Sequence, residues 1–374
     1  MLFTISTKPL KTAISLAVVN KNINKNIQKS AIAQLSMSEK NFRINTEAAS
    51  ISTEVTLFGS GDGDATIFVD AQTFKNLIST IDSTQIKIEF DGDGTDTTFI
   101  KVISGASEYI IPRVFDAGKI SMKRPMDVST DGVDLDKSAW KYVSDHFLFA
   151  LPHEKSAFPV YNNIWVGENG DIIVGDMVES LFVHCAKSNL GATYLLSESI
   201  VNLLCSVPDG SKIKKGDDDS YTIAFTSDSF TYLAEFVPKV ENDENGNYRS
   251  NAILPLLAGS KAQYVDVKVS DISKILSQLK IVAGNEIGIT LKLTADEMRF
   301  SGKTINASIP AAGNFAEPIE RRFKVSLLSG ITANLPEDSV RITRAMLKKS
   351  DGSEVNTGLV FTSGDMTVVC AFMK

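Results

Sequence analysis

Ile81-Asp82-Ser83-Thr84-Gln85-Ile86-Lys87-Ile88, Val207-Pro208-Asp209-Gly210-Ser211-Lys212-Ile213 and Leu335-Pro336-Glu337-Asp338-Ser339-Val340-Arg341-Ile342 are three forms of one passage. Each starts on an apolar residue, crosses an acidic turn and enters an alternation of apolar and polar side chains. Turn residues followed by a two-residue period mark the step from a helix into a strand with one buried face. The passage recurs after 126 and then 128 residues. A fixed long period means one folding unit copied along the chain.

Working outward, each passage closes a stretch with helical spacing. Phe74, Leu77, Ile78 and Ile81 fit the i, i+3, i+4, i+7 template, as do Ile200, Leu203, Leu204 and Val207. Leu328, Ile331 and Leu335 fit with Thr332 as the exception. Between these lie Leu10, Ala13, Ile14 and Ala17, then Trp140, Val143 and Phe147 with Ser144 as the exception, then Ile272, Ile275, Leu276 and Leu279. Six helices therefore divide three units into half-units. Ser6 or Thr7, Asp70, Asp136, Ser197 and Ser270 stand where helix caps belong. Between helices the period falls to two, in Ile86, Ile88 and Phe90, in Tyr221, Ile223 and Phe225, in Phe230, Tyr232 and Ala234, and in Ile289, Leu291 and Leu293. Lys123-Arg124-Pro125 and Pro255 to Ser260 separate the units, so the expected domains are 1–124, 125–257 and 258–374. The fold class is α+β, with two helices per domain on antiparallel sheets. Six similar half-units imply a curved, continuous sheet with helices on one side.

The composition fits this. Of 374 residues, 43% are hydrophobic and 22% charged, which excludes a disordered chain or a coiled-coil rod. Lys plus Arg number 38 and Asp plus Glu 45, a net charge of -7. A generally basic nucleic-acid binder has the opposite sign. Cys185, Cys205 and Cys370 are odd in number and widely spaced, so they read as buried reduced thiols rather than a disulfide framework or zinc site. Met1 to Pro9 lacks a basic stretch followed by an apolar core, so no signal peptide is expected, and no apolar run approaches the ~20 residues that span a membrane. A cytoplasmic location is expected. The histidines are His146, His153 and His184, with no H-E-x-x-H; there is also no G-x-S-x-G, Walker loop or G-x-G-x-x-G opening a helix. Phe90-Asp91-Gly92-Asp93-Gly94-Thr95-Asp96 has calcium-loop composition but Thr95 and Asp96 break the pattern, and it reads as a hairpin turn. The acidic stretches around Gly61, Gly170 and Gly216 read the same way. No catalytic residue, metal site or cofactor is expected.

The charge is unevenly distributed. The six helical windows hold Lys11, Lys75, Lys141 and Lys274 against Asp145 alone, so the rest of the chain is more acidic than the total of -7 suggests. Their other open-face residues are mostly Ser, Thr and Asn, such as Thr12, Ser15, Asn76, Ser79 and Asn202. Brought onto one concave face, the helices would make a mildly positive, hydroxyl-rich surface. That suits loose, sequence-independent contact with phosphates. The segment Asn20 to Lys29 adds Lys21, Lys25 and Lys29 without an acid.

With these residues in place, the whole chain resembles the bacterial-type DNA sliding clamp, the beta subunit of the replicative polymerase. Met1-Leu2-Phe3-Thr4-Ile5-Ser6 followed by Leu10 is similar to the family's start, and Ile110-Ile111-Pro112-Arg113-Val114-Phe115 to the close of its first domain. Arg322-Phe323-Lys324-Val325-Ser326-Leu327-Leu328 through Leu335 resembles the third domain's second helix, and Thr367 to Lys374 sits where the family ends. The resemblance implies a non-enzymatic homodimer, closed head to tail into a ring around double-stranded DNA. Helices line its hole, and it tethers the replicative DNA polymerase after placement by a clamp loader. It implies no membrane partner.

By the same resemblance, Tyr109, Ile281 and Val282 match the apolar core of the head-to-tail interface. The pocket for partner peptides maps to Tyr161, Asp176, Leu181, Val183, Tyr248, Val368, Val369, Ala371, Phe372 and Met373. The chain departs from the family there. Its usual Thr-Asp-Gly-His-Arg-Leu is replaced by Gly175-Asp176-Met177-Val178-Glu179-Ser180-Leu181, and its Met-Pro-Met near the end by Cys-Ala-Phe. That divergence suggests a virus-encoded clamp, a phage protein serving its own polymerase. The competing class is a structural or assembly protein of repeated β-rich domains without a DNA role. An enzyme ranks last, for want of a nucleophile, metal cluster or phosphate loop.

Overall fold

The computed structural model describes residues 1–18, 32–48, 50–92, 96–114, 125, 132–152, 158–188, 190–241, 246–258, 262–283, 288–302, 305–349 and 351–373. Among them are seven α-helices: α1 (Thr7–Ala17), α2 (Ala71–Thr80), α3 (Lys137–His146), α4 (Glu198–Ser206), α5 (Ser250–Ala258), α6 (Val269–Ala283) and α7 (Val325–Asn334). The strands form four antiparallel sheets of five, eight, nine and four strands. The chain gathers into two compact units, Met1–Lys137 with Ser199–Pro238, and Ser138–Glu198 with Lys239–Lys374.

In the first unit, a five-stranded sheet sets Leu2–Ser6 between Ser60–Gly61 and Gln85–Phe90. It continues through Phe99–Ser104 to an edge at Ser107–Pro112. The eight-stranded sheet joins distant parts of the chain: Phe230–Phe236 pairs with Ile51–Phe58, in register from Phe230 opposite Leu57 to Phe236 opposite Ile51. Residues opposite one another share a face. Leu35, Ile44, Val55 and Tyr232 make one row across four strands, and Met37, Phe42, Leu57 and Phe230 make the next. All eight are buried. Helix α1 packs on these strands and buries Leu10, Ala13, Ile14, Leu16 and Ala17. Each such side chain contributes roughly 1.5–3 kcal/mol on leaving water, which fixes the register, since a one-residue slip would turn every row outward.

A third row carries Thr46 opposite Thr53, both buried under the end of α1. Thr46 Oγ1 donates to the Ala17 carbonyl at 2.5 Å and Thr53 Oγ1 to the same oxygen at 3.0 Å. A helix leaves its last carbonyls without partners, and here the sheet supplies the donors.

In the second unit, Leu181–Ala186 pairs with Met366–Ala371, from Leu181 opposite Cys370 to His184 opposite Thr367, inside the nine-stranded sheet. Helices α6 and α7 pack on each other. The four-stranded sheet runs Asn306–Pro310, Glu297–Ser301, Gly288–Leu293, Ile319–Lys324.

The three repeated passages each span a helix-to-strand junction: α2 ends at Thr80 before strand Gln85–Phe90, α4 at Ser206 before Lys212–Lys215, and α7 at Asn334 before Ser339–Lys348. Asp70 caps α2 by accepting the Thr73 N–H at 2.7 Å. Ser6 precedes α1 without a side-chain cap bond, and α6 begins at Val269, one residue before the serine expected to cap it. The larger departure is α5. The segment expected to separate domains at Pro255 to Ser260 lies partly within this helix, which carries Pro255 internally. It is held by burial of Ile253 and Leu257 against the nine-stranded sheet, which outweighs the proline's local penalty. Residues 125–257 contribute to both units: strands over 164–196 belong to the second and strands over 212–236 to the first.

Candidate nucleic-acid and partner-binding sites

The helix lysines differ in what holds them. In the first unit Lys75 Nζ donates to the Val18 carbonyl at 2.9 Å, at the C-terminal end of α1, so its charge sits on the negative pole of that helix. Lys11 Nζ lies 3.7 Å from the exposed carboxylate of Asp82, a loose surface pair. In the second unit Lys141 and Lys274 are exposed on α3 and α6. The helices run longer than the apolar windows and take in Lys8, Lys137 and Lys280, and also the acids Glu198 and Asp271. Lys21, Lys25 and Lys29 lie outside the described residues.

The acidic stretches are turns with occupied side chains. Asp91 closes the hairpin between Gln85–Phe90 and Phe99–Ser104: its carboxylate accepts the N–H of Thr98 at 2.7 Å, that of Phe99 at 3.1 Å, and the Thr98 hydroxyl. Burial opposes the charge, but these donors outweigh it and hold the Asp91 pKa below the ordinary 3.8. His184 Nε2 is 2.7 Å from Asp171, and His146 Nδ1 is 2.7 Å from the Asn334 carbonyl. His153 is outside the described residues. No group of three or more His, Cys, Asp or Glu placed to hold a metal occurs among the described residues, and no helix among them is long and apolar enough to cross a membrane.

The residues assigned to a partner pocket all lie in the second unit, at two depths. Tyr161, Val183, Tyr248, Val368 and Val369 are buried. Tyr161 and Tyr248 stand 4.7 Å apart, ring to ring, within a cluster that includes Trp165, Phe182, Ile253, Leu257 and Val369. Gly175 is required there, because a Cβ on it would sit 2.2 Å from the Phe182 ring. Asp176, part-exposed, and Leu181, itself buried, line a cleft of about 300 Å³. Its other walls are Phe149 and Ala150 of the helical turn Leu148–Ala150, Leu151, Lys324 just before α7, and Ser326, Leu327 and Gly330 of α7. Glu179 ties it to Lys324, the residue before α7, with both carboxylate oxygens 2.9 Å from Lys324 Nζ. Phe149, Leu151, Lys324 and Leu327 were not assigned to the pocket from sequence.

The C-terminal segment is tied down beside this cleft. The Ala371 N–H donates to Ser180 at 3.1 Å, that of Phe372 to Thr357 at 3.3 Å, and that of Met373 to Arg322 at 3.0 Å. The Phe372 ring meets Phe323 edge-on at 5.4 Å.

The residues matched to a head-to-tail interface are exposed. Strand Ser107–Pro112 is a sheet edge and leaves Tyr109 41% and Ile110 63% exposed. At the end of α6, Ile281 is 85% and Val282 57% exposed. An open edge bearing large apolar side chains is a surface that proteins normally cover.

No protein-family model matches the sequence, and no curated protein does. Among solved structures, the match to bacterial DNA polymerase III beta subunits runs from end to end. With that of Thermotoga maritima the TM-score is 0.75 at 11% identity, covering 100% of this chain and 99% of that one. With that of Pseudomonas aeruginosa it is 0.71 at 15% identity, covering 100% of both. With the Helicobacter pylori beta clamp, solved bound to a DNA ligase peptide, it is 0.69 at 11% identity, again covering 100% of both. The chain has the fold of these beta subunits, and the expected α+β class with repeated helix-and-sheet units is borne out.

Proposed function

We propose that this protein is a DNA sliding clamp: a ring around duplex DNA that tethers a replicative polymerase and confers processivity without reading sequence and without catalysis. The observation that carries this is the end-to-end likeness of fold to DNA polymerase III beta subunits. In this reading residues 1–124, 125–257 and 258–374 are three clamp domains. Lys11, Lys75, Lys141 and Lys274, with Lys21, Lys25 and Lys29, face the DNA. Few cations, set among hydroxyls, suit a surface that must hold phosphates weakly enough to slide. The acidic remainder of the chain repels stray nucleic acid.

Ring closure needs a second copy, joined head to tail. The open edge Ser107–Pro112 of one copy, with Tyr109, would extend the other's four-stranded sheet at Asn306–Pro310, and Ile281 and Val282 of α6 would cover the join. Replicative polymerase and clamp loader are the partners for the peptide pocket, and the cytoplasm of a bacterium or of its infected counterpart is the location. The replaced pocket sequence, Gly175 to Leu181, supports a virus-encoded clamp.

Solution mass is the first test: the dimer has twice the 40.6 kDa of the chain. The decisive test is topological. After loading, the protein should stay on circular DNA and be lost once the circle is cut. Equal retention on circular and linear DNA refutes encirclement.

A further inference from the structure

The cleft on the second unit has a charge that its apolar walls do not explain. Phe149, Leu151, Leu181 and Leu327 offer an apolar seat, and the charged residues lining it are Asp176, Glu179 and Lys324. Lys324 is matched by Glu179 at 2.9 Å through both oxygens. Asp176 accepts the Val178 N–H at 2.8 Å and has no ion-pair partner among the described residues. The first turn of α7 also borders the cleft and brings about half a positive charge, which falls off within that turn and is less than the whole charge of Asp176. The cleft is therefore apolar within and negative at its rim.

We infer that the cleft selects partner peptides in which a Lys or Arg adjoins the apolar anchor, with Asp176 and Glu179 as the specificity-determining residues. The inference rests on the reading of this region as the partner-peptide site. Charge complementarity at a half-exposed rim adds modest affinity and strong discrimination against the opposite sign. Asp176 lies at the end of one strand and Glu179 in the adjoining turn, so the backbone fixes where both carboxylates stand.

The test uses the full-length protein and three fluorescein-labelled peptides on one Gly-Ser scaffold, each with two adjacent leucines and, next to them, Lys, Gln or Glu. A fourth peptide replaces both leucines by Ser. Fluorescence anisotropy is expected to rank them Lys, Gln, Glu, with about fivefold in Kd per step at low salt, shrinking in 0.5 M salt. Asp176→Asn keeps the acceptor for the Val178 N–H, and Glu179→Gln leaves the rim neutral overall. Each should collapse the ranking of the Lys peptide over the Glu peptide. If the three leucine peptides bind equally and the Ser peptide does not, the cleft is a peptide site without charge selection and the inference is overturned alone. A Lys preference untouched by either substitution also overturns it, because binding then occurs elsewhere. If no leucine peptide binds, the partner-site reading itself fails.

Discussion

Lys75 and Lys141 occupy corresponding helix positions in the sequence, but replacing each by Met should have opposite consequences. Lys75 Nζ donates to the Val18 carbonyl at 2.9 Å, at a helix end where a positive charge is worth about 0.3–1 kcal/mol. The hydrogen bond adds about 0.5–1.5 kcal/mol. Because the side chain is half-buried, the sum is discounted to about 1–2 kcal/mol for Lys75→Met. At roughly 2–4 °C per kcal/mol for a unit of this size, the first unit should melt roughly 2–8 °C lower by scanning fluorimetry or calorimetry. Lys141 is exposed and makes no described bond, so Lys141→Met should melt like the parent. In DNA binding the order reverses. Each lysine that neutralises a phosphate contributes about 0.9 to the slope of log affinity against log salt. Lys141→Met and Lys274→Met should lower that slope, and Lys75→Met should lower it less, its ammonium being held by Val18. A parental melting temperature for Lys75→Met would refute the stabilising role of the Val18 bond. A parental slope for Lys141→Met with Lys274→Met would remove the helix faces from the DNA surface.

Three further outcomes are expected. Burial pushes the thiols of Cys185 and Cys370 up to about 12, whereas Cys205 is part-exposed, so iodoacetamide at pH 8 should label Cys205 alone in the native protein; labelling of all three without unfolding contradicts the packing. Asp91 is depressed when folded, so its contribution is present above the unfolded value of about 3.8 and is lost as pH falls through the folded one. The gap in urea midpoint between the parent and Asp91→Asn should therefore be wide at pH 7 and close in acid below that range. Tyr109→Arg with Ile110→Asp should leave the monomer folded and reduce the mass in solution to 40.6 kDa; a persisting dimer would place the interface elsewhere.

The repeat was legible because its signals are local. An apolar helix end, an acidic turn and a two-residue period all lie within eight residues, and all three passages span the junctions they describe. Helix α5 was not legible, because Pro255 signals a break and the compensating contacts of Ile253 and Leu257 come from the distant strands Ser339–Lys348 and Met366–Ala371. Pairing was hidden for the same reason: nothing in Phe230–Phe236 names Ile51–Phe58 as its neighbour. At the candidate sites, residue type showed the lysines but not their partners. Charge counting treats Lys75 and Lys141 alike, although the Val18 carbonyl separates them. The cleft was half legible. Asp176 and Leu181 came from resemblance, while Phe149 and Leu327 meet them only through the fold of α7 against the turn after α3.

The pairing of Ile51–Phe58 with Phe230–Phe236 also sets a timetable for synthesis. A ribosome adding about 5–20 residues per second takes roughly 10–35 s to travel from the first of these strands to the second. Throughout that interval the early strand offers a bare row of amides and carbonyls to whatever is nearby, including the same strand on a neighbouring nascent chain. Production of this protein is thus most vulnerable before its middle third has emerged, and slowing translation there should increase aggregation even with every native contact intact.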